Sequence, residues 1–387
     1  MSWLHTPRVF LAPGLALVLV ALGGRYTLDR AGLAELAWVD LRVIGLIGAL
    51  AVLVVDIARR PGQNLGPRRE GWLVALTLFF LFQIASGLWA PPAARVGPQT
   101  LDLFLMAALT IAFYLYTLGD PATVVRTTFV LFYAAAIVFA LAALFVNGPG
   151  EQGRYSAFGG GPNVFVRIQI LGILSAWAVY LCYRRRVVLL AVPLFLLAAF
   201  LSGSRAGLLA GAVVGVAALV RSRRRLRSGP VAAALAVLAV AGVVVWTFAP
   251  PAFTSLFQER FVEQTVQQRY LSDRGDIWAA AWHLAVDHPL LGAGLDGFYG
   301  LVGVNQAIEY PHNYLLGVAA EGGLAGLTLL TAAVVLWAGS IRRGGGHPQL
   351  TALAVAAAVF VALSSLFSGD YYDARLAFLF AAMAAAA

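Results

Sequence analysis

The 387-residue chain has no lysine, a single cysteine and only 12% charged residues. Each shortage excludes something. A soluble domain carries about 25% charged residues. Here charge is half of that, hydrophobic residues reach 61% and the mean hydropathy is +0.83. In a bilayer there is no water to solvate charge, so it retreats to the loops. The composition therefore selects the membrane class before any helix is drawn. The lone Cys182 excludes an internal disulfide and reads as a core or interface residue, not a nucleophile. No Cys/His group has metal-ligand spacing. There is no internal repeat and no low-complexity tail. The missing lysine reads as base-composition bias of the gene, since every one of the 27 basic residues is arginine.

What is present is a succession of apolar runs, each near the roughly 20 residues a helix needs to cross a bilayer. Spans are expected near 9–24, 41–58, 72–89, 101–118, 124–146, 164–183, 187–203, 206–220, 231–248, 313–338, 351–368 and 374–387. The fold expected is an all-α polytopic membrane protein with about twelve transmembrane helices. The run at 9–24 lacks a small-residue cleavage site and reads as the first span, not a signal peptide.

Arginine placement sets the orientation. With the N-terminus in the cytoplasm, the inner connections hold Arg59, Arg60, Arg68 and Arg69; Arg184 to Arg186; Arg221, Arg223, Arg224, Arg225 and Arg227; and Arg342 with Arg343. The inner connection around Asp120 is nearly neutral. Both termini then lie inside. This assigns the net charge of +9 to topology, with anionic membrane lipid as a further contact. The basic clusters lack interleaved aromatics, which argues against nucleic acid.

The organisation expected is helices over 1–248, a long outer loop over 249–311 and helices over 312–387. The loop carries seven acidic and three basic residues, a net −4, opposite in sign to the whole chain. Within it, Asp276 to Val286 sets Ile277, Trp278, Ala281, Trp282 and Ala285 on one helical face. That pattern predicts a short amphipathic helix at the outer surface.

Four clusters on the predicted outer side could carry chemistry. The first is Arg154 with the run Ser156 to Asn163, ahead of Arg167 in the following span. The second is the turn Ser202-Gly203-Ser204-Arg205-Ala206-Gly207. The third is Arg274 with Trp278, leading to His288-Pro289-Leu290-Leu291-Gly292-Ala293-Gly294. The fourth is Pro311-His312-Asn313-Tyr314, followed by Glu321-Gly322-Gly323-Leu324-Ala325-Gly326.

In order and spacing these motifs resemble the O-antigen ligase superfamily, which also contains O-antigen polymerases and protein O-oligosaccharyltransferases. The match lies in Gly203 to Ala206, in R-x3-W-x9-H-P-L-x-G-x-G from Arg274 to Gly294, and in H-N-x7-E-G-G-L-x-G from His312 to Gly326. Gly160 to Asn163 is similar to the family's G-N-P-N turn, with Gly161 in place of Asn. The resemblance implies glycan transfer at the periplasmic face of the inner membrane, without metal or other cofactor. The implied donor is a glycan on undecaprenyl pyrophosphate. For a ligase, the implied acceptor is a sugar hydroxyl of the lipid A core. A polymerase would use the same donor with a second lipid-linked repeat.

The residue chemistry fits. A departing pyrophosphate develops negative charge that guanidinium groups bind bidentately, and Arg205 and Arg274 stand where such a phosphate would lie. An acceptor hydroxyl needs a base or an orienting group, the work of an imidazole near neutral pH; His312 is the candidate. Arg154, Asn163, Arg167, Asn313 and Trp278 are expected to bind substrate. Each has a plainer reading. Arg205 would snorkel from a helix end, Arg274 would pair with Asp273 or Asp276, and Arg167 would serve a structural partner inside its span. Glu321 is a weaker candidate that would bond a neighbouring helix. A transporter is the rival from another class, but paired repeats and interrupted helices in both halves are not evident in the sequence.

Overall fold

The computed structural model describes residues 34–36, 38–58, 70–222, 274–306, 308–341 and 348–386, with isolated positions among 17–28 and at 258. Among these residues the regular structure is helical, and the only β-type contacts are two isolated bridges. In chain order the helices are α1 (Leu41–Ala58), α2 (Gly71–Ala85), α3 (Val96–Gly119), α4 (Pro121–Ala142), α5 (Pro162–Tyr183), α6 (Val192–Leu201) and α7 (Arg205–Ser222). Then come α8 (Arg274–Asp287), α9 (Tyr314–Ile341), α10 (Pro348–Ser365) and α11 (Arg375–Ala386).

Proline opens several of them. Pro121, Pro162 and Pro348 each stand at the first helical position, where the absent N–H costs nothing and φ is already helical. Asp120 adds a cap to α4, its Oδ1 accepting from the Thr123 N–H at 3.2 Å.

Six stretches among the described residues are long and apolar enough to cross a membrane: Gly71–Trp89, Val96–Gly119, Pro121–Asn147, Pro162–Tyr183, Tyr314–Ile341 and Pro348–Ser365. They coincide with six of the expected spans. The expected spans near 41–58, 187–203 and 206–220 are shorter apolar helices, and α11, at 12 residues, is shorter still. The span near 231–248 and most of that near 9–24 lie outside the described residues, as do the first part of the outer loop and the inner arginines Arg59, Arg60, Arg68, Arg69, Arg223, Arg224, Arg225, Arg227, Arg342 and Arg343.

The chain divides into two compact units. Unit 1 comprises residues 1–128 and 273–387. In it α2 packs on α9, α8 on α9, α10 on α11, α11 on α3, and α1 on α3. Phe79, Phe80, Phe113, Phe298, Phe360 and Phe380 are fully buried between these helices. Charge inside this unit is internally paired. Arg42 Nη1 donates to Asp102 Oδ1 at 2.6 Å and Arg42 also binds Asp40. Arg375 Nε donates to the Ala21 carbonyl at 2.7 Å, and both guanidinium groups lie within 5 Å of the Tyr372 ring centre, at 4.6 and 4.8 Å. These buried charges hold helices together, because an uncompensated one would be costly in hydrocarbon.

The decisive feature of unit 1 is an interruption of α9. At Gly323 the backbone takes φ +57° and ψ −156°, which only glycine adopts readily. The break exposes backbone groups that a continuous helix would satisfy itself, and residues 289–294 satisfy them instead. The Ala293 and Gly294 N–H groups donate to the Ala320 and Glu321 carbonyls at 2.9 and 3.0 Å. The Leu324 and Ala325 N–H groups donate to the Pro289 and Leu290 carbonyls at 2.9 and 3.0 Å. Two glycines allow this approach. A Cβ on Gly292 would sit 2.2 Å from the Glu321 carbonyl carbon, and one on Gly323 would sit 2.6 Å from the Gly292 nitrogen. The H-P-L-x-G-x-G and E-G-G-L-x-G runs are thus two halves of one backbone joint.

The expected amphipathic helix is α8, but its inner face is rotated from the sequence expectation. Ile277, Ala281, Leu284 and Ala285 pack with Ala293, Phe298 and Ala320, while Trp282 is 60% exposed. The face chosen is the one that meets α9, and Trp282 is left outward.

Unit 2 comprises residues 129–272. Here α5 packs on α6 and on α7. A Cβ on Gly172 of α5 would fall 2.4 Å from Ala136 Cβ of α4, and one on Gly207 of α7 2.3 Å from a methyl of Val166 on α5, the close approach that small residues permit between membrane helices.

Gly292→Ala places its methyl against backbone at φ +72°, where nothing flexible can yield. It should destabilise by roughly 1–3 kcal/mol or more. The expected outcome is a clear drop in melting temperature of the detergent-solubilised chain, while Gly215→Ala, which meets nothing within 4 Å, should leave it unchanged.

Candidate functional site

In unit 2 the N-terminal ends of α5 and α7 are tied together. Ser204, just before α7, donates its hydroxyl to Asn163 Oδ1 at 2.7 Å. Ser204 N–H is held by Ser202 Oγ at 3.1 Å, and Arg154 Nε donates to the Ser202 carbonyl at 2.9 Å. Gly203 makes the turn with φ +60°, leaving just enough room for the Arg154 side chain, 3.4 Å from where a Cβ would stand. Arg205 is the first residue of α7 and half-buried; Arg167 lies one turn into α5 and is 3% exposed. The structure thus brings Arg154 and Asn163 to the turn that precedes Arg205. Two helix N-termini carry partial positive charge and unpaired N–H groups. With the arginines of this region they make a setting suited to an anion such as phosphate.

Unit 1 holds the second group. Arg274 opens α8, and Trp278 follows one turn on, its ring 6.2 Å from that of Phe367. The Trp278 Nε1 is buried without a hydrogen-bond partner. His312 sits just ahead of α9 with a left-handed backbone, φ +57°, uncommon for a residue with a Cβ. Its ring stacks edge-on against Tyr310 at 4.4 Å, and its Nδ1 is buried without a partner. Burial, and then the nearby positive charge of Arg274, lower its pKa from the ordinary 6.5 to about 4. At neutral pH the imidazole is therefore uncharged and able to accept a proton. Asn313 caps α9, its Oδ1 accepting from the Leu316 N–H at 3.1 Å, so its side chain has a structural task as well as a place in the site.

Beside His312 lies a small hollow of about 20 Å³, whose lining includes Gln99, Asp296, Asn313, Tyr314, Glu321 and Tyr371. Its floor is an ion pair the sequence did not reveal. Asp296 Oδ2 accepts from Arg95 N and Nε at 2.8 and 3.0 Å, while Oδ1 accepts from Arg95 Nη2 and from Gln99 Nε2. Arg95 also donates to the Glu309 carbonyl and lies 3.8 Å above the Tyr299 ring centre. Glu321 is 4% exposed and hangs over the same space, its Oε1 accepting from the Phe298 N–H at 3.4 Å. Glu321 was visible in the motif; Gln99 and Tyr371 carried no signal, because they reach the hollow from distant parts of the chain. The seven-residue separation of Tyr314 and Glu321, two turns on one face of α9, was the clue available.

The comparisons with known proteins agree with these motifs. Residues 187–331 match the family model described as O-antigen ligase. The chain is also similar to the O-antigen ligase of Pseudomonas aeruginosa, 27% identical over 270 residues, covering 68% of this chain and 63% of that protein. Both matches support the likeness to the O-antigen ligase superfamily. The chain spans less than two thirds of the curated relative it matches. The matched stretch contains Arg205, Arg274, Trp278, His312 and Asn313; Arg154, Asn163 and Arg167 precede it.

His312 also makes stability depend on pH. Its folded pKa of about 4 lies below the unfolded 6.5, so between those values the unfolded chain binds a proton the folded chain does not. The stability it contributes is complete above pH 6.5 and declines as pH falls toward 4. The melting temperature should decrease from pH 7 to 5, and His312→Asn should make that decrease smaller.

Proposed function

We propose that the chain is an inverting glycosyltransferase of the O-antigen ligase type. It moves a glycan from undecaprenyl pyrophosphate to a sugar hydroxyl of the lipid A core, at the periplasmic face of the bacterial inner membrane. The observation that carries this reading is His312: uncharged at neutral pH, partly buried, its Nδ1 unpartnered, within reach of the charge of Arg274. In the proposed step the acceptor oxygen attacks the anomeric carbon as the bond from that carbon to the pyrophosphate oxygen breaks. The hydroxyl proton passes to the imidazole of His312, and undecaprenyl pyrophosphate leaves with the bond's electrons. One displacement inverts the anomeric configuration.

Arg205 and Arg274 stabilise the charge that grows on the leaving pyrophosphate, an effect able to supply several kcal/mol. Arg154, Arg167 and Asn163 hold the donor near the N-termini of α5 and α7, Trp278 and Asn313 the substrate beside His312. The likeness to the O-antigen ligase family supports a ligase or polymerase type of chemistry.

The internal geometry of unit 2 supports the outer-face assignment. The Asn163 end of α5 and the Arg184 to Arg186 cluster are separated by a helix of 22 residues, about 33 Å at 1.5 Å per residue, a full bilayer core. With that basic cluster in the cytoplasm, Asn163 and Arg205 stand at the periplasmic end. In unit 1 the hollow is lined from the start of α3, the start of α9 and the link from α10 to α11. These are the ends that the same arginine rule puts outside.

Arg205→Ala, Arg274→Ala and His312→Ala should each abolish or severely reduce capping of lipopolysaccharide in cells, seen as loss of the high-mass ladder on a gel. Full capping in all three would remove the site assignment. Deleting the gene should leave long unattached polymer on the lipid carrier; single repeats attached to the core would instead mark a polymerase.

A further inference from the structure

Arg95 stands immediately before α3 and is joined to one later stretch of chain at three points. At the start of that stretch, Asp296 Oδ2 accepts from the Arg95 main-chain N–H and from Nε at 2.8 and 3.0 Å, and Oδ1 accepts from Nη2 at 3.2 Å. Next, the guanidinium lies 3.8 Å above the Tyr299 ring centre. At the end, Nη2 donates to the Glu309 carbonyl at 3.0 Å. One planar side chain thus straps the segment from Asp296 to Glu309, and that segment leads directly to His312.

The imidazole is placed by its backbone. Its ring meets Tyr310 at 4.4 Å, and its Nδ1 is buried without a hydrogen bond. On one side the chain is fixed at Asn313, whose carbonyl accepts from the Gly317 N–H at 2.9 Å and whose Oδ1 caps the Leu316 N–H. On the other it is fixed at Ile308, whose N–H donates to the Gly303 carbonyl at 3.0 Å, and at Glu309 by Arg95. Tyr310, Pro311 and His312 run between these anchors, with Pro311 buried and restricted in φ. In that short run His312 takes φ +57°. Such backbone in a residue with a Cβ is strained, and it persists where the surrounding structure over-determines it. Asp296, the first point that Arg95 grips, is left-handed as well, also at φ +57°.

The strap needs arginine. A carboxylate, a carbonyl and a ring face are held at once by a planar fork with donors in fixed directions. Lysine would bring a point charge able to pair with Asp296, without the fork or the flat surface. The Arg95 side chain is 33% exposed, so water is within its reach, yet its fork is turned onto this segment.

We propose that Arg95 is a positioning residue for His312. By gripping Asp296 and the Glu309 carbonyl it fixes the backbone that enters His312, and so the point at which the imidazole meets the acceptor hydroxyl. The placing of the imidazole stands on these contacts alone; its service to glycan transfer rests on the function proposed above.

Two measurements test this, and one needs no activity. Diethyl pyrocarbonate labelling, read by peptide mass spectrometry, reports how accessible each uncharged imidazole is. In the detergent-solubilised full chain, Arg95→Lys should raise the labelling rate at His312 about three-fold or more, as local opening increases. The rates at the exposed His283 and His288 should stay as in wild type, and so should the melting temperature. Tyr299→Leu removes the ring under the guanidinium and keeps every hydrogen bond, and it should move the His312 rate the same way by less. In a transfer assay with rough lipopolysaccharide as acceptor, Arg95→Lys should lower kcat on the order of 10–100-fold, the cost of a misplaced reacting group, with donor and acceptor KM unchanged. Wild-type labelling of His312 in both variants overturns the inference. So does a raised KM at unchanged kcat, the mark of a guanidinium that touches substrate. So does a His312 rate that rises only together with those of His283 and His288 and a falling melting temperature, the mark of general loosening. Should Arg95→Lys yield no folded protein, Tyr299→Leu decides by the same readings. Faster His312 labelling in the variants, from a wild-type chain that transfers no glycan, supports the strap and removes the transferase reading.

Discussion

The interruption of α9 at Gly323 is the constraint on which unit 1 depends. A continuous helix there would satisfy its own backbone and leave nothing for residues 289–294 to bind. Broken at one glycine, it becomes a docking edge, and four backbone hydrogen bonds fasten the segment after α8 to the middle of a membrane span. In hydrocarbon such non-helical backbone is tolerated only where protein satisfies it. The joint also buries the Glu321 side chain and, through the residues that follow Gly294, sets Asp296 where it meets Arg95. The shape of the hollow beside His312 is thus a consequence of backbone geometry several residues away.

Charge in this protein has two separate uses. Arg42, Arg95 and Arg375 are bound to carboxylates or carbonyls within unit 1 and act as cross-links between helices. Arg154 braces the turn that carries Arg205, through the Ser202 carbonyl. The basic character of the sequence gives no means of telling these apart. Only the partner does, and partners such as Arg42 with Asp102, or Arg95 with Asp296, come from distant stretches of chain.

The spans were legible because the bilayer imposes a physical length on them. The runs at 72–89, 101–118, 124–146, 164–183, 313–338 and 351–368 reappear as helices with ends shifted by a few residues. The run at 374–387 nearly coincides with the helix Arg375–Ala386, and that at 187–203 is taken up by a 3-10 stretch, Arg186–Ala191, followed by a ten-residue α-helix. At the candidate site, the sequence marked His312, Asn313, Arg205 and Glu321 through local motifs. It did not show that Asn313 caps a helix, that Ser204 grips Asn163 across 41 residues of chain, or that the motif glycines of residues 292 and 323 touch each other. Nor did periodicity choose the buried face of α8, where tryptophan competed with smaller residues and the contact with α9 decided the matter.

The bond between Ser204 and Asn163 fixes the starts of α5 and α7 in register with each other. The other end of α5 closes at Arg184 with a left-handed residue. Lengthening α5 near Asn163 by one residue would turn that side chain by about 100° and break the link between the two helix starts, whereas the same insertion near Tyr183 would leave the Ser204–Asn163 bond where it is.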